Sequence, residues 1–493
     1  MDLSHRQEDV VKAWKSTTKN ILINAIPGSG KSFIILYLIK MMTQRVLYLA
    51  FNSSIQKEME EKLHGLAHAK AMTFHALGFS AIRGHYKTVN IKNNKNFDIV
   101  KQVQNTHKKF FKYLTWEDKL KISYTLCDLH DLSRIFLTTD LSELKVHAAE
   151  VGKEIYVYSH IESHWGCFLE LRDKSYEGSI IDIDFTDMIF LPIYKNFSYN
   201  INPLYLAIDE CQDLNKCQHA MVDKLIAENG VERWLSVGDF RQTIYSFSGA
   251  LSNSFELFRT RDNVLELPLD ICYRCPQLVV EQTNKVYDTM TGFKQNQGVV
   301  GVVSEWGDIK SPSLVICRNK APLFEVLFLL LANGRKAYFK GEDILKSVER
   351  FLKPYSTYSI TRCDAELKIT KLDLEKDKTE SGRIQVFLFE ENYKIYKMLK
   401  TVFYINNGVV SDILTKLKAL FVEDVNSIAL CTIHKSKGLE ADIVYILNEK
   451  DTIPSKFATT KEALIQEENL RYVARSRARE EMYYLNLKGG TYE

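Results

Sequence analysis

At 493 residues the chain is too long for one compact core, and at roughly 150 residues per domain it predicts about three units. Its 45% hydrophobic and 26% charged residues exclude collagen-like, disordered and disulfide-scaffold classes. Lysine plus arginine (65) exceed aspartate plus glutamate (62) by only three, so any attraction for a polyanion must come from a local groove and not from a global field.

The opening residues Met1-Asp2-Leu3-Ser4-His5 lack the basic and apolar regions of a signal peptide. Nine cysteines are scattered without the spacing of a disulfide framework, which predicts a reducing, intracellular setting. The most apolar stretch, Leu323 to Ala332, is broken by Glu325 and is shorter than the roughly 20 residues a membrane helix needs, so no membrane span is expected. Cys272 and Cys275 form a Cys-x-x-Cys pair, but no companion pair with zinc-ligand spacing accompanies it.

Taken in order, apolar runs at Ile21–Ile26, Val46–Phe51, Leu204–Asp209 and Trp234–Gly238 alternate with helical patterns, as in a parallel sheet flanked by helices. A second set follows at Leu314–Cys317, Ile428–Ile433, Ile443–Leu447 and Met482–Leu487. The expectation is an α/β chain of two parallel-sheet units, each interrupted by a mainly helical or mixed insertion. The boundaries are 1–91 and 201–270 for the first unit, with its insertion at 92–200. The second unit takes 271–341 and 426–493, with a reduced insertion at 342–425.

Between the first strand and a helical run stands Ala25-Ile-Pro27-Gly28-Ser29-Gly30-Lys31-Ser32. A strand–loop–helix context is what a phosphate-binding loop needs, because backbone N–H groups and the helix N-terminus then face the anion. Lys31 would reach the β- and γ-phosphates and the Ser32 hydroxyl would hold Mg²⁺. Ala25 departs from the glycine usual at the start of this pattern. Further on, Leu206-Ala-Ile-Asp209-Glu210-Cys-Gln212-Asp213 ends an apolar strand in carboxylates. Asp209 could bind the metal and Glu210 an attacking water, although a solvated acidic loop has the same composition.

Asp-Glu-Cys-Gln-Asp resembles the Walker B signature of superfamily-one helicases of the UvrD/Rep group. The other signatures follow in order. Leu3 and Gln7 resemble the adenine-reading segment; Leu49-Ala-Phe51-Asn52 and Ala71-Met-Thr73-Phe74-His75 resemble DNA-contacting segments. The run from Val237 through Gln242, Tyr245 and Phe247 to Ala250 is similar to the family's long third motif. Cys272-Tyr273-Arg274, Thr432-Ile-His434 through Gly438 to Glu440, and Tyr472 through Arg477 to Ala478 are similar to the fourth, fifth and sixth. The Ala-Phe-Asn and Thr-Phe-His segments look most like the F-box helicase branch and its phage relatives.

That resemblance implies two RecA-like domains, with ATP and Mg²⁺ as cofactors and ATP held between the domains. Arg274 and Arg477 would be arginine fingers, Gln242 a γ-phosphate sensor, Tyr273 an adenine stacker and Glu440 a ribose contact near Gly438. Along the DNA, Phe51, Phe185, Tyr245 and Phe247 would stack on bases, while Asn52, Thr73, His75, Thr432 and His434 would touch phosphate or sugar. Core packing competes for the aromatics. Serines at 53, 54 and 248 stand where relatives usually carry cations, and Arg475 takes a usually apolar place. The implied activity is 3′→5′ movement on single-stranded DNA with unwinding of tailed duplex, by a monomer or weak oligomer. Alternatives are an accessory ATPase that remodels protein–DNA complexes or serves a partner nuclease without unwinding duplex itself, and an RNA-directed motor; a replication or repair factor or a nuclease is the protein partner the resemblance implies. The short second insertion implies reduced autoinhibition or a different partner surface, and the end at Glu493 is expected to leave no room for a nuclease domain.

Overall fold

The computed structural model describes residues 3–114, 116–150, 161–244, 249–341, 343–376, 380–403 and 408–486. Tyr245, Phe247 and Ser248 lie outside the described residues. The chain forms two compact units, Met1–Ala25 with Gly30–Leu269 and Ile26–Ser29 with Asp270–Glu493.

The first unit is built on a six-stranded sheet in the order β3-β2-β6-β7-β1-β8. Its strands are β1 (Asn20–Ala25), β2 (Val46–Ala50), β3 (Ala69–Thr73), β6 (Tyr205–Ile208), β7 (Arg233–Gly238) and β8 (Val264–Leu269). All neighbours pair in parallel. The central strands are buried along their length, every residue of β2 and β7 included, because helices cover both faces. Helices α1 (His5–Ser16) and α2 (Lys31–Met41) supply Val10, Trp14, Ile35 and Leu38 to one face. On the other face lie Phe74 and Leu77 from α4 (Phe74–His85) and Met188 and Phe190 from α10 (Phe185–Tyr194). Between β2 and β3 runs α3 (Ser53–Lys62).

A two-stranded parallel pair, β4 (Thr88–Ile91) with β5 (Ile180–Ile183), brackets the first insertion. Within it stand α5 (Lys95–Thr106), α6 (Lys108–Phe111), α7 (Trp116–Ile135), α8 (Leu141–Glu150) and α9 (Ile161–Lys174). These helices bury a core of their own around Leu126, Leu129, Trp165 and Phe168.

The second unit contains β9 (Ile271–Cys272) paired with β10 (Thr291–Gly292), and a six-stranded sheet ordered β11-β16-β15-β12-β14-β13. Those six are β11 (Val299–Val303), β12 (Ser313–Cys317), β13 (Ala337–Phe339), β14 (Ile428–Thr432), β15 (Ala441–Leu447) and β16 (Ala478–Leu485), again all parallel. Its insertion is helical over Asp343–Leu352, Ile360–Leu374, Glu380–Val402 and Val410–Ala419. Unlike the first insertion, it shares one core with its sheet, in which Leu367, Tyr396 and Ile413 join Phe324, Leu327 and Leu430. The expected α/β class, with two parallel sheets and helical insertions, is therefore the observed one. No helix among the described residues is long and apolar enough to cross a membrane.

Candidate active site

In a parallel sheet every strand points its carboxyl end the same way, so residues that follow neighbouring strands line one edge. The order β3-β2-β6-β7-β1 sets Thr73, Phe51, Asp209, Asp239 and the phosphate-loop residues in sequence along that edge of the first unit. The candidate nucleotide residues of the phosphate loop, Asp209 and Gln242 fall behind β1, β6 and β7, and the candidate DNA residues Phe51, Asn52, Thr73 and His75 behind β2 and β3.

The loop after β1 turns into α2 through Gly28 (φ +71°) and Gly30 (φ +85°), a left-handed backbone that a side chain would strain. A Cβ on Gly30 would also lie 2.9 Å from Gln7 Nε2, so Gly30 lets Gln7 approach the loop. Gln7 is buried and fixed by a capping box with Ser4, whose backbone N–H donates to Gln7 Oε1 at 3.1 Å. The Ser29 hydroxyl donates to the Ile26 carbonyl at 2.8 Å. Ala25, the departure from the usual loop, is fully buried inside β1.

Lys31 Nζ stands 2.9 Å from Glu210 Oε1. Burial works against its charge, but Glu210, Asp239 and Asp209 outweigh that and raise the ammonium pKa. The buried Asp209 receives hydrogen bonds from Tyr48 Oη at 2.7 Å and from the Glu210 backbone at 2.8 Å. Burial first and Glu210 second push its carboxyl up to about 6. Glu210 adopts φ +50°, which turns its side chain back toward the loop lysine. Gln242 donates to Asp239 Oδ2 at 2.8 Å, and Gln212 bridges the two acidic strand ends, accepting from Asp239 N at 3.0 Å and donating to Glu210 at 2.5 Å. Tyr48, Gln212 and Asp239 were not expected as site residues. Gln212 and Asp239 lie inside motifs already noted, whereas only strand pairing brings Tyr48 to Asp209.

A Mg²⁺ ion fits this donor set. The Ser32 hydroxyl and Asp209 carboxylate are hard oxygens, and Asp209, Glu210 and Asp239 meet two cations, Lys31 and Arg241, which leaves negative charge for a bound cation to offset. Among the described residues no cluster of three or more His, Cys, Asp or Glu side chains could hold a metal.

Farther along the edge, Asn52 Oδ1 caps α3 through the Ile55 N–H at 2.9 Å, and Thr73 caps α4 through the Ala76 N–H at 3.0 Å. Capping uses each side chain as an acceptor, and the amide and hydroxyl hydrogens are donors suited to phosphate. Phe51 is half-buried, whereas Phe185 is 58% exposed, with its ring edge-on to His75 at 6.4 Å. Burial lowers the His75 pKa, keeping it neutral.

In the second unit, Arg274 Nε donates to Glu440 at 2.6 Å and Nη1 to the Ser476 carbonyl at 3.1 Å. Arg477 is buried and donates to the Val473 carbonyl at 2.8 Å and the Ser476 hydroxyl at 2.9 Å. Tyr273 packs at 4.7 Å against the exposed Phe293, a ring no motif pointed to. Gly438 has φ +83° with open space where a Cβ would stand. Thr432 caps the short helix Ile433–Ser436, and His434 is pushed down to about 3 by burial and then by Arg318. Arg475, in its usually apolar place, makes a two-pronged pair with Glu449 at 2.9 and 2.8 Å.

Residues 4–262 match the family model of the UvrD/REP helicase N-terminal domain, and residues 324–488 that of the UvrD-like helicase C-terminal domain. ATP-dependent DNA helicase Rep of Escherichia coli is 24% identical over 297 residues, covering 55% of this chain and 42% of that protein. F-box DNA helicase protein 1 of Schizosaccharomyces pombe is 22% identical, covering 97% and 57%. A probable DNA helicase II homologue of Mycoplasma capricolum is 22% identical, covering 99% and 85%. Both Rep and F-box proteins are thus relatives, and the chain spans less than half the length of the Rep proteins it matches. With its N-terminal model alone matching 259 of 493 residues (4 to 262), the chain belongs to the UvrD/REP helicase family.

Proposed function

We propose that this protein is an ATP-dependent motor that moves 3′→5′ along single-stranded DNA and unwinds tailed duplex. The observation that carries the proposal is the meeting of Lys31 with Glu210 and Asp209 at one sheet edge that continues to Phe51, Thr73 and His75. Lys31 holds the β- and γ-phosphates, while Ser32 and Asp209 hold Mg²⁺, which when bound neutralises phosphate charge. Glu210 takes the proton of the attacking water once the phosphates draw Lys31 away from it. Arg274 and Arg477 stabilise charge on the transferred phosphoryl group, and Gln242 reports its presence through Asp239. Gln7, Tyr273 and Glu440 hold the base and ribose. The rings of Phe51 and Phe185, with Tyr245 and Phe247, stack on successive bases. The protein works in the cytoplasm as a monomer or weak oligomer, with a replication, repair or nuclease partner as an additional component.

Steady-state ATP turnover with single-stranded DNA, single-stranded RNA and no polymer, paired with strand displacement from 3′- and 5′-tailed duplexes, tests this. Stimulation by DNA and displacement from the 3′ tail are expected. Equal stimulation by RNA, or preference for the 5′ tail, would overturn the substrate or the polarity.

A further inference from the structure

The candidate DNA track is not held by the first unit's sheet alone. At the start of α10, Asp184 caps the helix by accepting from the Asp187 backbone N–H at 2.9 Å, and Asp187 Oδ2 accepts from the Asp184 N–H at 3.1 Å. Phe185, the exposed ring of the candidate track, is the first residue of that turn. Both capping carboxylates are engaged from the other side by Arg134, near the end of α7 in the insertion. Arg134 Nη1 lies 2.6 Å from both Asp184 Oδ1 and Asp187 Oδ1, and Nη2 lies 2.9 Å from Asp184 Oδ2 and 2.6 Å from Asp131. Lys95 of α5 adds a second cation 2.7 Å from Asp187, and the Tyr176 hydroxyl donates a fourth hydrogen bond to it.

Arg134 is fully buried, as is Asp187, and Lys95 is nearly so. Charges taken out of water are tolerated only in near-ideal geometry, so such a cluster has few alternative arrangements. Two insertion helices thereby fix the backbone turn that aims Phe185. A planar guanidinium is needed for this, because one cation must span two carboxylates and meet Asp184 with both terminal nitrogens.

We propose that Arg134 is a positioning residue for DNA binding: it sets the first turn of α10 and through it the ring of Phe185, making the insertion part of the scaffold of the track. The proposal rests on Phe185 being a DNA contact, as the proposed function has it.

A double-mutant cycle tests it, read as the oligothymidylate concentration that half-saturates ATPase stimulation, with DNA-independent ATPase and thermal unfolding alongside. Phe185→Ala should raise the half-saturating concentration roughly tenfold, the scale of a lost base stack. Arg134→Lys keeps the charge but loses the fork, and should raise it several-fold while leaving DNA-independent turnover in place. Combined, the two should be no worse than Phe185→Ala alone. Asp184→Asn preserves a capping side chain while weakening the fork, and takes the place of Arg134→Lys in the cycle should that variant not fold. Independent, additive losses, or no loss from Arg134→Lys and Asp184→Asn, would overturn the positioning role. No loss from Phe185→Ala would instead remove Phe185 from the track, and the positioning role with it.

Discussion

The Lys31 ammonium and the Glu210 carboxylate hold one another at 2.9 Å, so the residue meant for phosphate and the residue meant for water form an ion pair. Three carboxylates raise the lysine pKa against burial, and the lysine in turn lowers that of Asp209 against burial and Glu210. Lys31→Ala is expected to abolish ATP hydrolysis. Glu210→Gln should still bind ATP while turnover falls by about 10²- to 10⁴-fold, the usual worth of a general base. Phosphate release and equilibrium binding of a fluorescent ATP analogue separate the two effects. Normal turnover in Glu210→Gln would assign the base elsewhere.

Arg274 is held at two points, Glu440 and the Ser476 carbonyl, through different guanidinium nitrogens. If it stabilises the transferred phosphoryl group, Arg274→Ala should lower kcat by about 10³-fold or more while KM for ATP changes far less. Arg274→Lys should restore little, because one ammonium cannot keep two contacts set by a planar fork. A loss confined to KM would make Arg274 a binding residue only.

The strands legible in the sequence were β1, β2, β6, β7, β12, β14, β15 and β16, all interior to their sheets, whereas β3, β8, β11 and β13 are the four edges and were not anticipated. The reason is physical. An interior parallel strand is covered on both faces and shows a continuous apolar run, as Val46–Ala50 does, while an edge strand such as Ala69–Thr73 carries Lys70 and is only partly covered. The candidate nucleotide residues stand out in the sequence for a related reason, since loop and carboxylate chemistry is local to a few adjacent positions. Tyr48, Phe293 and Arg134 were not legible, because each reaches its partner across strands, loops or helices far apart in sequence.

Arg475 shows how a departure from the family pattern is absorbed. Its guanidinium forms a two-pronged pair with Glu449, with 12% and 5% of the two side chains exposed. Replacing Arg475 by leucine, closer to the usual apolar residue, strands a buried carboxylate and should destabilise the second unit by about 3 kcal/mol or more. Arg475→Leu with Glu449→Gln should recover most of that in a thermal or urea unfolding experiment. A harmless single substitution would show that Glu449 finds water or another partner.

His219 gives the first unit an acid-sensitive point. The Ser254 hydroxyl donates to the Cys211 carbonyl, so His219 Nε2, 2.8 Å from that hydroxyl, is the donor, and Nδ1 faces Arg261 at 3.4 Å as the acceptor. A second ring proton would point at a guanidinium, and burial and then Arg261 push the imidazole down to about 3. Because the unfolded histidine titrates near 6.5, the unfolded chain binds the extra proton first, and stability falls as pH drops from about 6.5 toward 3. The expected slope is about 1.4 kcal/mol per pH unit, or about 2 kcal/mol between neutrality and pH 5. Urea unfolding at several pH values should show this in the parent protein and a shallower dependence in His219→Gln. An unchanged slope would place the acid sensitivity in other groups.

Cations missing from the track make a prediction about salt. Asn52 caps α3, and Ser53 and Ser54 sit exposed on its first turn, just after Phe51 in sequence, where the family resemblance leads one to expect a lysine. Each phosphate neutralised by a protein cation releases counterions and contributes about 0.7 to the slope of log affinity against log salt for a single strand. A serine pair where the resemblance expects a lysine should therefore leave this protein with a shallower slope and an affinity resting more on stacking rings. Ser54→Lys should steepen the slope by about 0.7 and tighten binding of oligothymidylate at low salt, with the gain vanishing as salt rises. Asn52 caps the same turn, so the helix that carries the new lysine is already formed and the substitution tests charge alone. Anisotropy titrations across a range of chloride concentrations measure the slope, and an identical slope in the two proteins would place the strand away from the first turn of α3.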